Sequence, residues 1–465
     1  MKKREFKIEY LVYLYIIISP FLDAFSCMYR EWFPNVHLSP VMFIRPIIPI
    51  ILMLYIFARD KSVRKPLIIS GFIYAIYGVV HMLIFRKLLT GVSYGTFFQE
   101  GMYVFNYTYM IYILFIIMYF SKREQLPHLR RALFIMLCNY LLLIYVSIIT
   151  KTSLPTYIEG TGYRSWFISG NSLCTSLLLL FSVFVSGMFK RKNIKYLIIF
   201  VLLGVYLMFL VGTRTGLYGF VLVFSFYIVM KMFMAFKQKI QFNKNRIIIL
   251  LGVIVVFGLL AFKLGSSTLE RRREINAMVD DIVDINNNFE VAHVTGTTTK
   301  FVYDIKHDQV EDGLLSEAQK NAYLDMYETC NKLKLKSNSY RIQQLIYNYY
   351  LVKEQKNLLY ILFGNGHVNL YGEMILEMEI PFILLNFGIL GFILYVFPLL
   401  YLCYKGFMYI FGHKKFLMEN YYMYMFGLLL AFLLACIAGY VLYSSTCALI
   451  IICILGLLEE QGDII

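Results

Sequence analysis

Ionisable groups held among apolar residues are the first candidates for chemistry, because each costs roughly 2.5 to 3.5 kcal/mol to keep there and therefore implies a partner or a task. Arg214 stands in the run LVGTRTGLYG, where Gly212, Thr213, Thr215 and Gly216 allow close backbone approach and add hydroxyl and amide donors. A guanidinium in that setting suits a phosphate or pyrophosphate; the alternative is an arginine snorkelling to the interface. Glu377 and Glu379 open the run EMEIPFILLNFGILG. A carboxylate partly buried there has its pKa raised by desolvation and lowered by a nearby arginine, which is how a general base is tuned. Residues two apart on a regular helix point about 200° apart, so unless the turn is irregular at most one of the two serves as a base; the alternative for either is a marker of the membrane boundary. Arg341, in SNSYRIQQLIYNYY, begins a helix that returns towards the membrane, and its alternative is a solvated helix face. Asp23 in SPFLDAF and Arg45 in LSPVMFIRPIIP lie near corresponding ends of two apolar segments. They are expected to pair and shape a vestibule. His293, His307 and His367 lack metal-ligand spacing, and no metal site is expected.

The elements that must position these groups are membrane spans. The chain has 465 residues, 59% hydrophobic and 16% charged, with a mean hydropathy of +0.65. Soluble domains average about 25% charged residues, so this stock cannot make an ordinary water-facing surface. The apolar residues come in blocks such as YLIIFVLLGVYLMFLV, long enough to cross a hydrocarbon core of ~30 Å. Spans are predicted at roughly 10–28, 39–58, 66–85, 100–120, 132–150, 166–189, 195–212, 215–236, 247–264, 378–404, 420–438 and 440–458. Basic clusters at Lys2–Lys7, Arg59–Lys65, Lys122–Arg131, Lys190–Lys195, Lys231–Arg246 and Lys405–Lys415 fall on one side of that arrangement. That side is assigned to the cytoplasm, with both termini. The net charge of +15 is carried by these helix-end clusters; they suit anionic lipid headgroups, and no basic stripe points to nucleic acid. Most of the eight cysteines fall inside spans, and only Cys27 and Cys330 are expected outside, so no disulfide framework is inferred. The first span lacks a small-residue cleavage signal and is expected to be retained.

Residues 265–377 break from this composition, being polar, Asn-rich and mixed in charge. The segment divides the chain into 1–264 with nine spans, an extracytoplasmic loop domain at 265–377, and 378–465 with three spans. Ser316 and Gln319 form a capping-box pattern, and 340–352 has an amphipathic pattern with Ile342, Leu345, Ile346 and Tyr349 on its apolar side. LFGNGHVNLYGE marks the return to the membrane. Loops this long are seldom without a task. No internal repeat is found, which weighs against duplicated transporter folds.

These pieces in this order resemble the O-antigen ligase and Wzy-type polysaccharide polymerase superfamily, in particular its branch from Gram-positive capsule and exopolysaccharide clusters. The likeness runs through SPFLDAFSCM, LSPVMFIRP, WFISGNSLCTSLLLLF, GTRTG, the loop with SYR, LFGNG and EMEIPFILLNFGILG, and AGYVLYSSTCALIIICILGLL. It implies an all-α, GT-C-like polytopic membrane protein acting on sugars attached to undecaprenyl pyrophosphate at the outer membrane face. An acceptor hydroxyl attacks the anomeric carbon and lipid pyrophosphate leaves, with no nucleotide sugar, metal or other cofactor. Two arginines are implied to bind the pyrophosphate, and Arg214 and Arg341 fall where that pattern puts them. Glu379, Thr213, Thr215 and Arg45 are expected to support them. Glu377 occupies the position where a ligase shows His, the implied general base, and this departure favours a polymerase over a lipid A ligase. Tyr440 is a second departure, in a place where relatives often carry His.

The implied partners are the bilayer and the lipid-linked oligosaccharide, with a flippase and a chain-length regulator of the same pathway. Three rivals remain open: a ligase moving the finished glycan to another carrier, a flippase for lipid-linked sugars, and a scaffold for a capsule complex. The large loop and the lack of repeats argue against the flippase.

Overall fold

In lipid every backbone group must find its partner within the protein, and a helix does this within one segment; the long apolar runs of this chain accordingly fold as helices. The computed structural model describes residues 7–34, 36, 39–88, 96–157, 160–188, 194–238, 302, 304–310, 315–333, 335, 340–366, 376–412 and 419–462. These are mostly helical, with one two-stranded sheet. The first half comprises α1 (Glu9–Trp32), α2 (Val41–Ile44), α3 (Ile47–Arg59), α4 (Lys61–Leu88), α5 (Thr96–Lys122), α6 (Leu129–Ile149), the hairpin β1 (Leu154–Pro155) and β2 (Tyr163–Ser165), α7 (Gly170–Met188), α8 (Ile194–Val205) and α9 (Arg214–Gln238). The second comprises α10 (Glu317–Lys332), α11 (Tyr340–Glu354), α12 (Leu358–Phe363), α13 (Glu379–Asn386), α14 (Gly388–Tyr395), α15 (Phe397–Gly412), α16 (Glu419–Ile437) and α17 (Ser445–Gly462).

Eight helices among the described residues are long and apolar enough to cross a membrane, α2 and α3 running together as one. A ninth is counted if α14 and α15, bent by 47°, form a single span. Pro398 lies in the first turn of α15 and cannot donate to the helix ladder, which places the break just before it. The predicted span at 195–212 is a shorter helix ending in a π-turn, Tyr206–Leu210. The predicted span at 247–264 lies outside the described residues. The one predicted at 440–458 begins at Ser445, because residues 438–444 are drawn into a loop around Glu379.

A helix apolar on every side belongs in the interior of a bundle. α7 and α17 take that place: α17 touches α1, α5, α6, α7, α15 and α16, and its residues from Thr446 to Glu459 are buried. The expected pair forms, with Arg45 donating to Asp23 and tying α1 to the segment between α2 and α3. At the opposite end of the bundle, Arg123 reaches Asp60 at 2.6 Å and Lys231 pairs with Glu419. Both ion pairs lie at helix ends that carry the basic clusters.

α10 and α11 have a small core of their own, built on Tyr323, Met326, Cys330, Tyr347 and Leu351. The Ser316–Gln319 capping box is present at the start of α10. Burial pushes the Cys330 thiol up to about 11, so it stays a thiol at neutral pH. The face of α11 differs from the sequence expectation. Ile342 and Tyr349 are exposed, whereas Gln343, Gln344, Tyr347 and Asn348 are buried. One side of α11 meets α10 and another meets α13, where Gln344 accepts the Glu377 backbone N–H, a bond isoleucine could not make. α12 packs on α4 and α14. After it the chain runs directly against the α13–α14 junction, with Gly366 donating to the Asn386 carbonyl at 2.8 Å. Gly364, at φ 79°, has no room for a side chain there, since a Cβ would fall 2.2 Å from the Asn386 carbonyl carbon.

Candidate active site

Glu377 lies just ahead of α13 and outside any helix. Its backbone N–H donates to the Gln344 side-chain oxygen at 3.2 Å, so the inward glutamine of α11 sets its position. Its carboxylate accepts from Arg341 Nε at 2.8 Å. Arg341 also donates from Nη1 to the carbonyl of Ile437, the last residue of α16, at 3.0 Å. Arg341 thus bridges the polar segment to the membrane bundle. The two side chains are 42% and 44% exposed, and an ion pair so open to solvent contributes at most about 1 kcal/mol.

Glu379 is built in the opposite way. It is 4% exposed, and its Oε2 accepts the backbone N–H groups of Val441 and Leu442, both at 2.7 Å. Its Oε1 accepts the Tyr443 N–H and, at 3.2 Å, the Tyr107 hydroxyl. A carboxylate ringed by donors in this way acts as the centre of a turn, and the 438–444 loop is wrapped on it. The loop also rests on Glu377: a Cβ on Gly439 would come 2.5 Å from the Glu377 carbonyl oxygen, so glycine alone fits. Tyr440 follows with φ 65°, a left-handed conformation that costs a bulky residue about 1 to 3 kcal/mol. Partial burial in the cleft, then the nearby Glu377 and Glu379 carboxylates, push its phenol above the ordinary value.

Glu377, Glu379, Tyr440 and Gly439 line one cleft, completed by Tyr103, Tyr107, Tyr443, Phe382 and Leu376. Tyr103 and Tyr443 meet at 4.4 Å between ring centres, and Tyr103 and Phe382 at 5.3 Å. The result is an aromatic trough with a carboxylate and a guanidinium at its mouth.

Arg214 is exposed at the first position of α9 and makes no hydrogen bond or ion pair to another described residue. Thr213 caps that helix, its hydroxyl accepting the Gly216 N–H at 3.0 Å. Thr215 is half-buried on the first turn. α9 and α16 are antiparallel neighbours, pinned where Phe226 stacks on Phe426 at 4.0 Å and where Lys231 meets Glu419. From that stack, twelve residues lead up to Arg214 and eleven to Ile437, rises of roughly 18 and 17 Å. Arg214 therefore comes level with the carbonyl that holds Arg341. Arg45 is occupied with Asp23, while Tyr109 donates to its carbonyl.

Sequence reasoning singled out Tyr440 but not Tyr103, Tyr107 or Tyr443, nor the pair His81–Glu100. His81 and Glu100 are both fully buried, with Nε2 and Oε1 2.5 Å apart. His81 Nδ1 lies 2.8 Å from the Phe363 carbonyl, which can only accept, so Nδ1 carries a proton. The pair anchors the end of α12, from which the chain leads to Glu377. Ionisable residues inside apolar runs were the available signal.

A model of the family described as O-antigen ligase like membrane protein matches residues 5–460. The chain belongs to that family. No curated protein and no solved structure matches it. An O-antigen ligase like protein is an integral membrane protein that processes glycans by glycosyltransferase-like chemistry, with lipid and glycan as its partners.

Proposed function

We propose that this protein is a polysaccharide polymerase, joining undecaprenyl-pyrophosphate-linked oligosaccharide repeat units at the outer face of the cytoplasmic membrane. In this reading it has about twelve spans with cytoplasmic termini, and the segment 265–377 roofs the cleft on the outer side. The observation that carries the proposal is the contact of Arg341 with Glu377 at the mouth of an aromatic cleft. Cation, base and aromatic walls are the three things that transfer from a lipid pyrophosphate needs.

Arg341 and Arg214 bind the donor pyrophosphate, guanidinium being suited to paired phosphate oxygens. As the pyrophosphate takes Arg341, the Glu377 carboxylate is released from its ion pair. It then accepts the proton of an acceptor sugar hydroxyl, whose oxygen attacks the anomeric carbon. The bond from that carbon to the pyrophosphate oxygen breaks, and its electron pair leaves on undecaprenyl pyrophosphate, stabilised by the two arginines. No metal is invoked in these steps.

Purified protein in liposomes, given only radiolabelled lipid-linked repeat units, should produce a ladder of polymer. A ligase would leave the units unchanged until a separate carrier is added, and a flippase would move them across the bilayer without joining them. Arg214→Ala and Glu377→Gln should each abolish the ladder with membrane abundance unchanged; full-length polymer from either variant removes that residue from the mechanism.

A further inference from the structure

We infer that Tyr440 is the platform on which a sugar ring of the lipid-linked glycan stacks beside Glu377, the ligand being a pyranose presented by its C–H face. This rests on the polymerase reading for the role of Glu377. The loop around Glu379 buries Val441 and Leu442 almost completely, yet leaves Tyr440 44% exposed in the cleft. The backbone at φ 65° favours glycine or asparagine, and the sequence breaks that local preference at the residue turned towards the cleft. Such departures gather at functional sites. The strained turn is held from both sides, by Glu379 on the N–H groups that follow and by Glu377 under Gly439. Tyr443 fixes the ring at 6.1 Å and 62°. The Tyr440 hydroxyl makes no hydrogen bond to another described residue, so the ring itself is the useful part.

A pyranose has apolar C–H faces and a rim of hydroxyls. The cleft offers a matching pair, an aromatic plate and an adjacent carboxylate that accepts hydroxyl hydrogen bonds. A stacked aromatic contact of this kind changes affinity by about tenfold.

The test uses full-length protein in detergent, with two probes: the lipid-linked repeat unit and sugar-free undecaprenyl pyrophosphate. Tyr440→Gly and Tyr440→Asn remove the ring and relieve the backbone, whereas Tyr440→Phe keeps the ring. Expected are about tenfold or greater weakening of the glycolipid for Gly and Asn, undecaprenyl pyrophosphate affinity within twofold of wild type, and an unlowered Tm. Recovery of glycolipid affinity in Tyr440→Phe completes the pattern. Unchanged glycolipid affinity in the Gly variant overturns the proposal, as does equal weakening of both probes or a lowered Tm in both the Gly and Asn variants. If wild type binds the glycolipid in a ring-dependent way yet makes no polymer, the polymerase reading falls and the stacking role stands. If the Gly variant polymerises with wild-type affinity, the reverse holds.

Discussion

Replacing Glu379 with glutamine exchanges one oxygen for an amide nitrogen, and the 438–444 loop should respond out of proportion to that change. In the wild type Oε2 serves two backbone donors, and Oε1 serves the Tyr443 N–H and the Tyr107 hydroxyl. Glutamine can keep the first pair with its carbonyl oxygen, but its NH2 then faces the Tyr443 N–H, donor against donor. One buried donor left without an acceptor costs about 1 to 3 kcal/mol. The two retained bonds also lose their charge assistance, a loss offset by no longer burying a charge. A net cost of about 1 to 3 kcal/mol corresponds to roughly 5- to 150-fold more frequent opening of the loop. Hydrogen exchange read by mass spectrometry on peptides spanning 438–444 should show that loss of protection, with Glu379→Ala losing more because it strips all three N–H groups. Wild-type exchange at Val441, Leu442 and Tyr443 in both variants would refute the claim that this carboxylate holds the loop.

The close approach at Gly439 predicts that Gly439→Ala, by forcing the Glu377 backbone aside, lowers polymer synthesis at least tenfold in the liposome assay without altering membrane abundance. Arg341→Lys keeps the charge but cannot reach Glu377 and the Ile437 carbonyl together, and the same assay should report a comparable loss; wild-type ladders would show that charge alone suffices. Asp23→Asn strands the part-buried Arg45 without a counterion, which costs up to about 3 kcal/mol and should lower the Tm in detergent. The double change Asp23→Leu with Arg45→Met should recover most of it, and a double variant no better than the single one would deny that the two residues act as a pair.

The Asp23–Arg45 pair and the Ser316–Gln319 cap were legible in the sequence because each follows from a local rule: a charge among apolar residues demands a partner, and a helix start demands acceptors. The apolar count along α11 named Ile342 and Tyr349, yet the buried face holds Gln343, Gln344 and Asn348. Periodicity reports where oil would be buried, and this helix leans in part on polar backbone. Glu379 was recognised as a carboxylate near a membrane boundary, but its partners are main-chain N–H groups that every residue owns, so no residue type announces them. For the same reason the start of α17 was placed five residues early: the stretch Gly439–Ser444 is apolar enough for a helix, and its turn is dictated from elsewhere in the chain. His81 and Glu100 were readable by the rule that found Asp23 and Arg45.

The wrapping of the last loop on Glu379 sets an order in time. Val441 lies 62 residues after Glu379, so at ~5 to 20 residues per second the ribosome needs about 3 to 12 s to deliver the donors after the carboxylate has emerged. During that interval the nascent chain already carries Arg341 and Glu377, but neither the Ile437 carbonyl nor the floor under Glu377. A half-made protein in the bilayer thus lacks the contacts that hold Arg341 and Glu377 in place until the final hairpin has been inserted.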